Sequence, residues 1–155
     1  MTGLFDDETE TPDEYATKLK SLQRRNSAML CANPDIRVER GDRIVYCAGA
    51  LAEAYEKLGG DVVYAGKPHL PIYELALHMI NDSRGEVVPK GRVIAIGDGL
   101  KTDIAGAAAA GLRSVFVASG LHVEGGRALS SELVDELFKD SPLERPVAAM
   151  QTLAW

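Results

Sequence analysis

Apolar positions recur along this chain with two periods, and the period changes segment by segment. "TPDEYATKLKSLQRRN" predicts a helix: Thr11 is an N-cap, Pro12 fits the first turn and Glu14 completes a capping box. Tyr15, Leu19 and Leu22 then fall on one face. "AMLCA" (28–32) reads as a short buried strand stopped by Asn33-Pro34-Asp35. "IRVERGDRIVYCAG" alternates through Ile36, Val38, Ile44 and Tyr46 around Arg40-Gly41-Asp42, a hairpin pattern. "GALAEAYEKLGG" (49–60) predicts a helix with a glycine stop. "DVVYAGKP" predicts a strand ending at Gly66. "PIYELALHMIND" (71–82) predicts a helix with Ile72, Leu75, Ala76 and Met79 on one face. "RVIAIGD", "TDIAGAAAAG", "SVFVASG" and "SSELVDELFKD" follow as strand, helix, strand and helix. The tail "SPLERPVAAMQTLAW", with Pro142 and Pro146, carries no periodic signal.

From Asp61 onward strands and helices alternate, which implies an α/β fold: a Rossmann-like parallel sheet with right-handed crossovers. Residues 1–60 break the alternation and read as a different structural unit. The acidic, aperiodic residues 1–10 are expected to be solvated.

Composition narrows the classes. A 155-residue chain with 46% hydrophobic and 26% charged residues has the makeup of a soluble globular protein. A net charge of -6 argues against nucleic acid or an anionic membrane as the main partner, and 6% aromatics argue against a base-stacking surface. No segment reaches the apolar length of a membrane span, and the N-terminus is acidic where a signal peptide is basic. Cys31 and Cys47 form no metal or disulfide pattern and are expected to pack as small apolar residues. A cytoplasmic location is the expectation.

The chemistry lies at strand ends, where open parallel sheets bind ligands. Gly66-Lys67-Pro68 follows one strand and Gly97-Asp98-Gly99 another, with Asp103 in the first turn of the next helix. If the strands are neighbours, an ammonium and two carboxylates converge. Carboxylates supply hard oxygens for Mg²⁺, lysine is a point charge for phosphate, and glycines admit a ligand close to the backbone. Taken singly, Asp103 also reads as a helix N-terminal acid, Asp98 as a turn residue and Lys67 as a solvated surface lysine. His69 could touch a substrate or simply start a helix; His78 and His122 have no partner at metal spacing. Trp155 either caps an apolar patch or is disordered with the tail.

These residues resemble the haloacid dehalogenase (HAD) superfamily of phosphohydrolases. "VVYAGKPHLPIYELAL" looks like its third motif, and "VIAIGDGLKTDIAGAAAAGLRSVFVASGLH" like its fourth, Gly-Asp-x-x-x-x-Asp-Ile. "MLCANPDIRVERGDRIVYCAGALAEAYEKLGG" is similar to the stretch before the lysine in the subclass with a large α/β cap, that of the N-acetylglucosamine-operon and 4-nitrophenyl-phosphate phosphatases. The resemblance runs from Ala28 to His122. It implies that Asp98 ligates Mg²⁺, that Asp103 supports the metal or the lysine, and that Lys67 neutralises nucleophile and phosphoryl oxygens. It also implies a substrate-side turn, with Asn33, Asp35, Gly66, Gly97 and Gly99 near the ligand. Residues 1–64 would be part of the α/β cap and 65–155 the C-terminal half of the core. The substrate would be a small phosphorylated metabolite.

The family's first motif, Asp-x-Asp-Gly, supplies the nucleophile and the general acid and base, and no Asp-x-Asp occurs here. No serine or threonine fits the second motif. A sheet lacking its central strand exposes apolar faces and an open edge. The expectation is a truncated or misread gene start, with a missing N-terminal half, a partner chain or a homo-oligomer as ways to complete the sheet. The functional expectation is a Mg²⁺-dependent phosphatase portion that is inactive alone; the alternative is a non-catalytic binding or regulatory remnant that pairs with another chain. An unrelated receiver-like or nucleotide-binding domain is disfavoured because neither Gly-x-Gly-x-x-Gly nor a Walker lysine motif is present.

Overall fold

The structure is a computed structural model that describes residues 1–118, 129–139, 141 and 144–153. His122 and Trp155 lie outside the described residues. The chain divides into two compact units, Met1–Gly66 and Lys67–Trp155.

In the first unit, α1 (Ala16–Arg24) and α2 (Ala48–Lys57) cover a two-stranded parallel sheet of β1 (Met29–Cys31) and β4 (Val62–Tyr64). The period of two decides which side chains go in. Met29 and Cys31 join Leu19, Ala48, Ala52 and Tyr55 in the core, while Leu30 and its register partner Val63 face out. The Tyr55 hydroxyl donates to the Ser27 carbonyl at 2.5 Å, so the one polar atom of this ring is satisfied. The predicted hairpin forms as β2 (Arg37–Arg40) and β3 (Arg43–Tyr46), with Gly41 at φ 61° in the turn.

Residues 1–10 are not a loose tail. The Met1 ammonium donates to the Leu30 carbonyl at 2.6 Å, and the Met1 carbonyl accepts from the Ala32 N–H at 2.9 Å. Arg40 forks both oxygens of Asp7 at 3.0 and 2.7 Å. Charge pattern alone reads such acids as solvated; the cation that orders Asp7 sits 33 residues away.

The second unit holds a three-stranded parallel sheet in the order β5 (Ile94–Gly97), β6 (Arg113–Val117), β7 (Ala148–Met150). α3 (Leu70–Arg84) and α4 (Ala105–Ala109) pack through Tyr73, Ala107, Ala110 and Leu112, with Ala95 of β5 against them. α5 (Ser131–Phe138) closes a further cluster in which Phe138 meets Phe116 edge to face, ring centres 6.1 Å apart. Ser130 caps α5, its hydroxyl accepting from the Leu133 N–H at 3.2 Å.

Three sequence expectations change here. β4 pairs with β1 in the first unit rather than continuing the sheet of β5 and β6. β7, in the stretch without periodic signal, is a strand because β6 offers it an edge: Val147 donates to Ser114 and Met150 accepts from Ala118, both at 2.8 Å. In α3 the buried residue is Tyr73, whereas Ile72, Leu75 and Met79 are 40%, 53% and 62% exposed. Tyr73 faces α4 because Gly106 leaves a socket there; a Cβ on Gly106 would stand 2.3 Å from the Tyr73 hydroxyl. Among the described residues no helix is long and apolar enough to cross a membrane.

Candidate functional site

The strand end after β5 is built around Asp103. The chain leaves β5 at Gly97, passes Asp98 and Gly99, and enters one π-helical turn, Leu100–Ile104, before α4. The Ile104 N–H reaches back to the Gly99 carbonyl at 3.0 Å, which curls the turn over the strand end. Such turns are rare and recur at functional sites. The wider turn leaves the Asp103 side chain directed at the backbone of its own loop, where Oδ2 accepts from the Gly99 N–H at 3.1 Å.

Gly97 and Gly99 make this possible by what they lack. A Cβ on Gly97 would stand 2.3 Å from Asp103 Cγ, and one on Gly99 2.0 Å from Thr102 Oγ1. Gly97 therefore holds space for the carboxylate and Gly99 chiefly for the Thr102 hydroxyl, and neither supplies an unusual backbone angle.

Lys67 meets the same carboxylate. Its Nζ donates to Asp103 Oδ1 at 2.5 Å, across 36 residues of sequence, just before the cis Lys67–Pro68 bond. The lysine side chain is 51% exposed and the aspartate 13%. The anion is thus fixed and shielded, and the ammonium keeps an open side for a second anion.

The Tyr73 hydroxyl lies 3.2 Å from the Asp103 carbonyl and 3.4 Å from the Thr102 carbonyl, bracing the π turn from α3. Burial, then the Asp103 charge, pushes its phenol up, so it stays a neutral donor. Sequence reading missed Tyr73 as a support. The signal lay in its place on α3 one position from the predicted apolar face.

Asp98 is exposed, and among the described residues its carboxylate forms no hydrogen bond or ion pair. The structure therefore joins Lys67 to Asp103 and places Asp98 at the same strand end without joining it to either. In the first unit, Asn33, Pro34 and Asp35 lie in the loop after β1, with Asn33 Oδ1 accepting from the Asp35 N–H at 3.3 Å. Two glycines clamp it: a Cβ on Gly49 would stand 2.1 Å from the Pro34 carbonyl oxygen, and one on Gly66 2.4 Å from that of Ala32. Cys31 and Cys47 are buried, and burial pushes both thiols up, away from thiolate chemistry.

The donor chemistry suits Mg²⁺ held loosely. That ion takes one or two carboxylates and fills its other positions with water and substrate oxygens. Asp98 offers open hard oxygens, while both oxygens of Asp103 are already engaged. Among the described residues no group of at least three His, Cys, Asp or Glu side chains could cage a metal.

The HAD-hydrolase-like family model matches residues 64–138. A hydrolase of the haloacid dehalogenase-like family from Brucella suis is 44% identical, with a TM-score of 0.71; the match covers 98% of this chain and 54% of that one. A p-nitrophenyl phosphatase from Archaeoglobus fulgidus is 22% identical at a TM-score of 0.70, covering 97% and 52%. A possible sugar phosphatase of the HAD superfamily from Cytophaga hutchinsonii is 23% identical at 0.69, covering 96% and 50%. The chain spans about half the length of these structures. No curated protein matches it.

Proposed function

Because the chain belongs to the haloacid dehalogenase-like hydrolases, we propose that Lys67, Asp98 and Asp103 form the electrostatic half of a Mg²⁺-dependent phosphate-monoester hydrolase site that does not turn over in this chain alone. The observation that carries the reading is the Lys67–Asp103 pair at the glycine-lined end of β5.

Phosphoryl transfer is mostly positioning and charge stabilisation. Lys67 binds a phosphoryl oxygen with the protons that Asp103 leaves free. Asp103 positions the ammonium, and Gly97 and Gly99 admit the carboxylate that does so. Asp98, with Asp103 beside it in the loop, would hold Mg²⁺. When bound, that ion adds positive charge at the phosphoryl oxygens. Asn33 and Asp35, in a cap portion of residues 1–64, and Gly66, in the half-core of residues 65–155, are the positions we assign to the ligand side, the ligand being a small phosphorylated metabolite. The chain has no Asp-x-Asp to accept the phosphoryl group or to protonate the leaving oxygen. A cytoplasmic protein is the matching location.

The test uses the purified chain with Mg²⁺. Release of 4-nitrophenol from 4-nitrophenyl phosphate should stay at the blank. Inorganic phosphate should shift the NMR amide signals of Lys67 and Gly99, and Asp98→Ala or Lys67→Met should abolish those shifts. Turnover that survives repurification and disappears in Asp98→Ala would overturn the claim of inactivity. Phosphate shifts indifferent to both substitutions would overturn the site.

The second reading, a non-catalytic remnant that pairs with another chain, is favoured by the missing Asp-x-Asp. Coding sequence settles between them: an in-frame Asp-x-Asp-Gly about 100–150 residues upstream of Met1, an ordinary domain's distance, supports the enzyme.

A further inference from the structure

Within the second unit, the last turns of α3 and the start of β5 flank a groove of about 500 Å³. That volume falls in the range of small-molecule sites, roughly 300–1,000 Å³. Met79, Ile80, Val93 and Ile94 supply its apolar lining; Ser83, Arg84, Glu86 and Arg92 supply its polar lining. The groove lies at the opposite end of β5 from the Lys67–Asp103 pair. Three strand steps from Ile94 to Gly97 separate the two ends by about 10 Å.

The walls of the groove are set before any ligand arrives. Gly85 ends α3 at φ 68°, and Asn81 Oδ1 accepts from the Val88 N–H at 2.8 Å, which ties the connecting loop back to the helix. The Arg92 N–H donates to the Pro89 carbonyl at 2.8 Å and closes the turn before β5. A ligand therefore meets an ordered surface and pays little to organise it.

Four cations lie at this end of the sheet, and they divide by what they bind. Lys90 Nζ donates to the Ala110 carbonyl at 2.7 Å, and Arg113 donates to the Gly91 carbonyl at 2.6 Å. Both are spent on backbone. Arg84 and Arg92 form no hydrogen bond or ion pair among the described residues, and both line the groove. Glu86 lines it too, yet forms no ion pair with either arginine. Two unspent guanidiniums beside an apolar wall suit an anion with an apolar body. Two arginines against one glutamate leave a single positive charge, which matches a monoanion better than a phosphate group of about −1.5 to −2.

We propose that this groove binds a small aliphatic carboxylate, its chain on Met79, Ile80, Val93 and Ile94 and its head group on Arg84 and Arg92. The ligand is chemically unlike the phosphorylated substrate assigned to the other end of β5, and the site is independent of that assignment.

The test titrates the full isotope-labelled chain with hexanoate and follows the amide NMR signals. Residues 83–86 and 92–94 should shift saturably. Acetate, which lacks the apolar body, and hexan-1-ol, which lacks the charge, should each bind at least tenfold more weakly. Arg84→Gln and Arg92→Gln should each weaken hexanoate binding at least fivefold, and Glu86→Gln should tighten it about twofold. All three side chains are exposed, so these variants keep the fold. The absence of a saturable shift overturns the proposal, as does hexan-1-ol binding as tightly as hexanoate or binding indifferent to both arginine substitutions. Hexyl phosphate binding more tightly than hexanoate overturns the assigned head group. Shifts lost in Lys67→Met but kept in Arg84→Gln put the carboxylate at the Lys67 end of β5 and overturn the site. Hexanoate binding unchanged in Lys67→Met supports it whether or not the phosphatase reading holds.

Discussion

Replacing Gly97 with alanine tests how the candidate site is assembled. The new Cβ would stand 2.3 Å from Asp103 Cγ, 2.4 Å from its Cβ and 2.8 Å from Oδ1. Carbon atoms rest about 3.5–4.0 Å apart, so the aspartate must move by roughly 1 Å or more. Asp103 is short and 13% exposed, held by Lys67 on one oxygen and the Gly99 N–H on the other. A shift of that size carries a 2.5 Å contact out of hydrogen-bonding range. Overpacking alone costs about 1–3 kcal/mol. Weakening a hydrogen bond to a charged group adds about 1 kcal/mol or more. For a chain of this length, a total near 2–3 kcal/mol lowers Tm by roughly 4–12 °C. Differential scanning calorimetry measures that loss, and the NMR signal of the Lys67 ammonium reports whether the pair survives. Gly91→Ala is the control, because a Cβ there meets nothing within 4 Å; it should cost no more than about 0.5 kcal/mol. An alanine at 97 as harmless as one at 91, with the Lys67 signal unmoved, would refute the idea that this glycine makes room for the carboxylate.

Three further outcomes follow from packing and charge. Tyr73→Phe keeps the ring but removes the brace under the π turn and should cost about 0.5–1.5 kcal/mol by urea denaturation. Gly106→Ala, which strikes that hydroxyl at 2.3 Å, should cost more, about 1–3 kcal/mol. Tyr64 is pushed up to about 12 by burial, and then by its hydrogen bond to Glu56. An unfolded tyrosine ionises near 10, so this contribution to stability is complete below about pH 10 and is lost as pH rises from there through 12. Difference absorbance at 295 nm between the parent and Tyr64→Phe should show a late-titrating phenol. Glu56→Gln should bring it earlier, and a Tyr64 that titrates near 10 in the parent contradicts the assignment.

Local patterns were readable in the sequence where the partner is near in the chain. The hairpin at Gly41 follows from alternation plus a turn glycine, and α5 follows from its Ser130 cap. Elements whose partners are distant were not readable. β7 is three residues, Ala148–Met150, with no β-branched side chain, and only the free edge of β6 makes it a strand. In α3 periodicity grouped the aliphatic Ile72, Leu75 and Met79 on one face; the socket at Gly106 took Tyr73, on a different side of the helix. At the strand end, the charges of Lys67 and Asp103 suggested an encounter that the structure contains. The reach of Asp98 toward them was inferred from loop proximity, and an exposed carboxylate need not turn inward to be satisfied.

The clamp on Asn33-Pro34-Asp35 bears on when a loop we propose to be on the ligand side becomes ordered. With Gly49 and Gly66 admitting no side chain on either flank and the Gly49 N–H donating to the Asp35 carbonyl at 3.0 Å, the loop is frozen as the protein folds. Immobilising a residue costs about 1–2 kcal/mol of backbone entropy, and here that loss precedes any encounter. Whatever molecule meets Asn33 and Asp35 finds a template already set, so its affinity is free of the disorder-to-order toll that mobile loops impose.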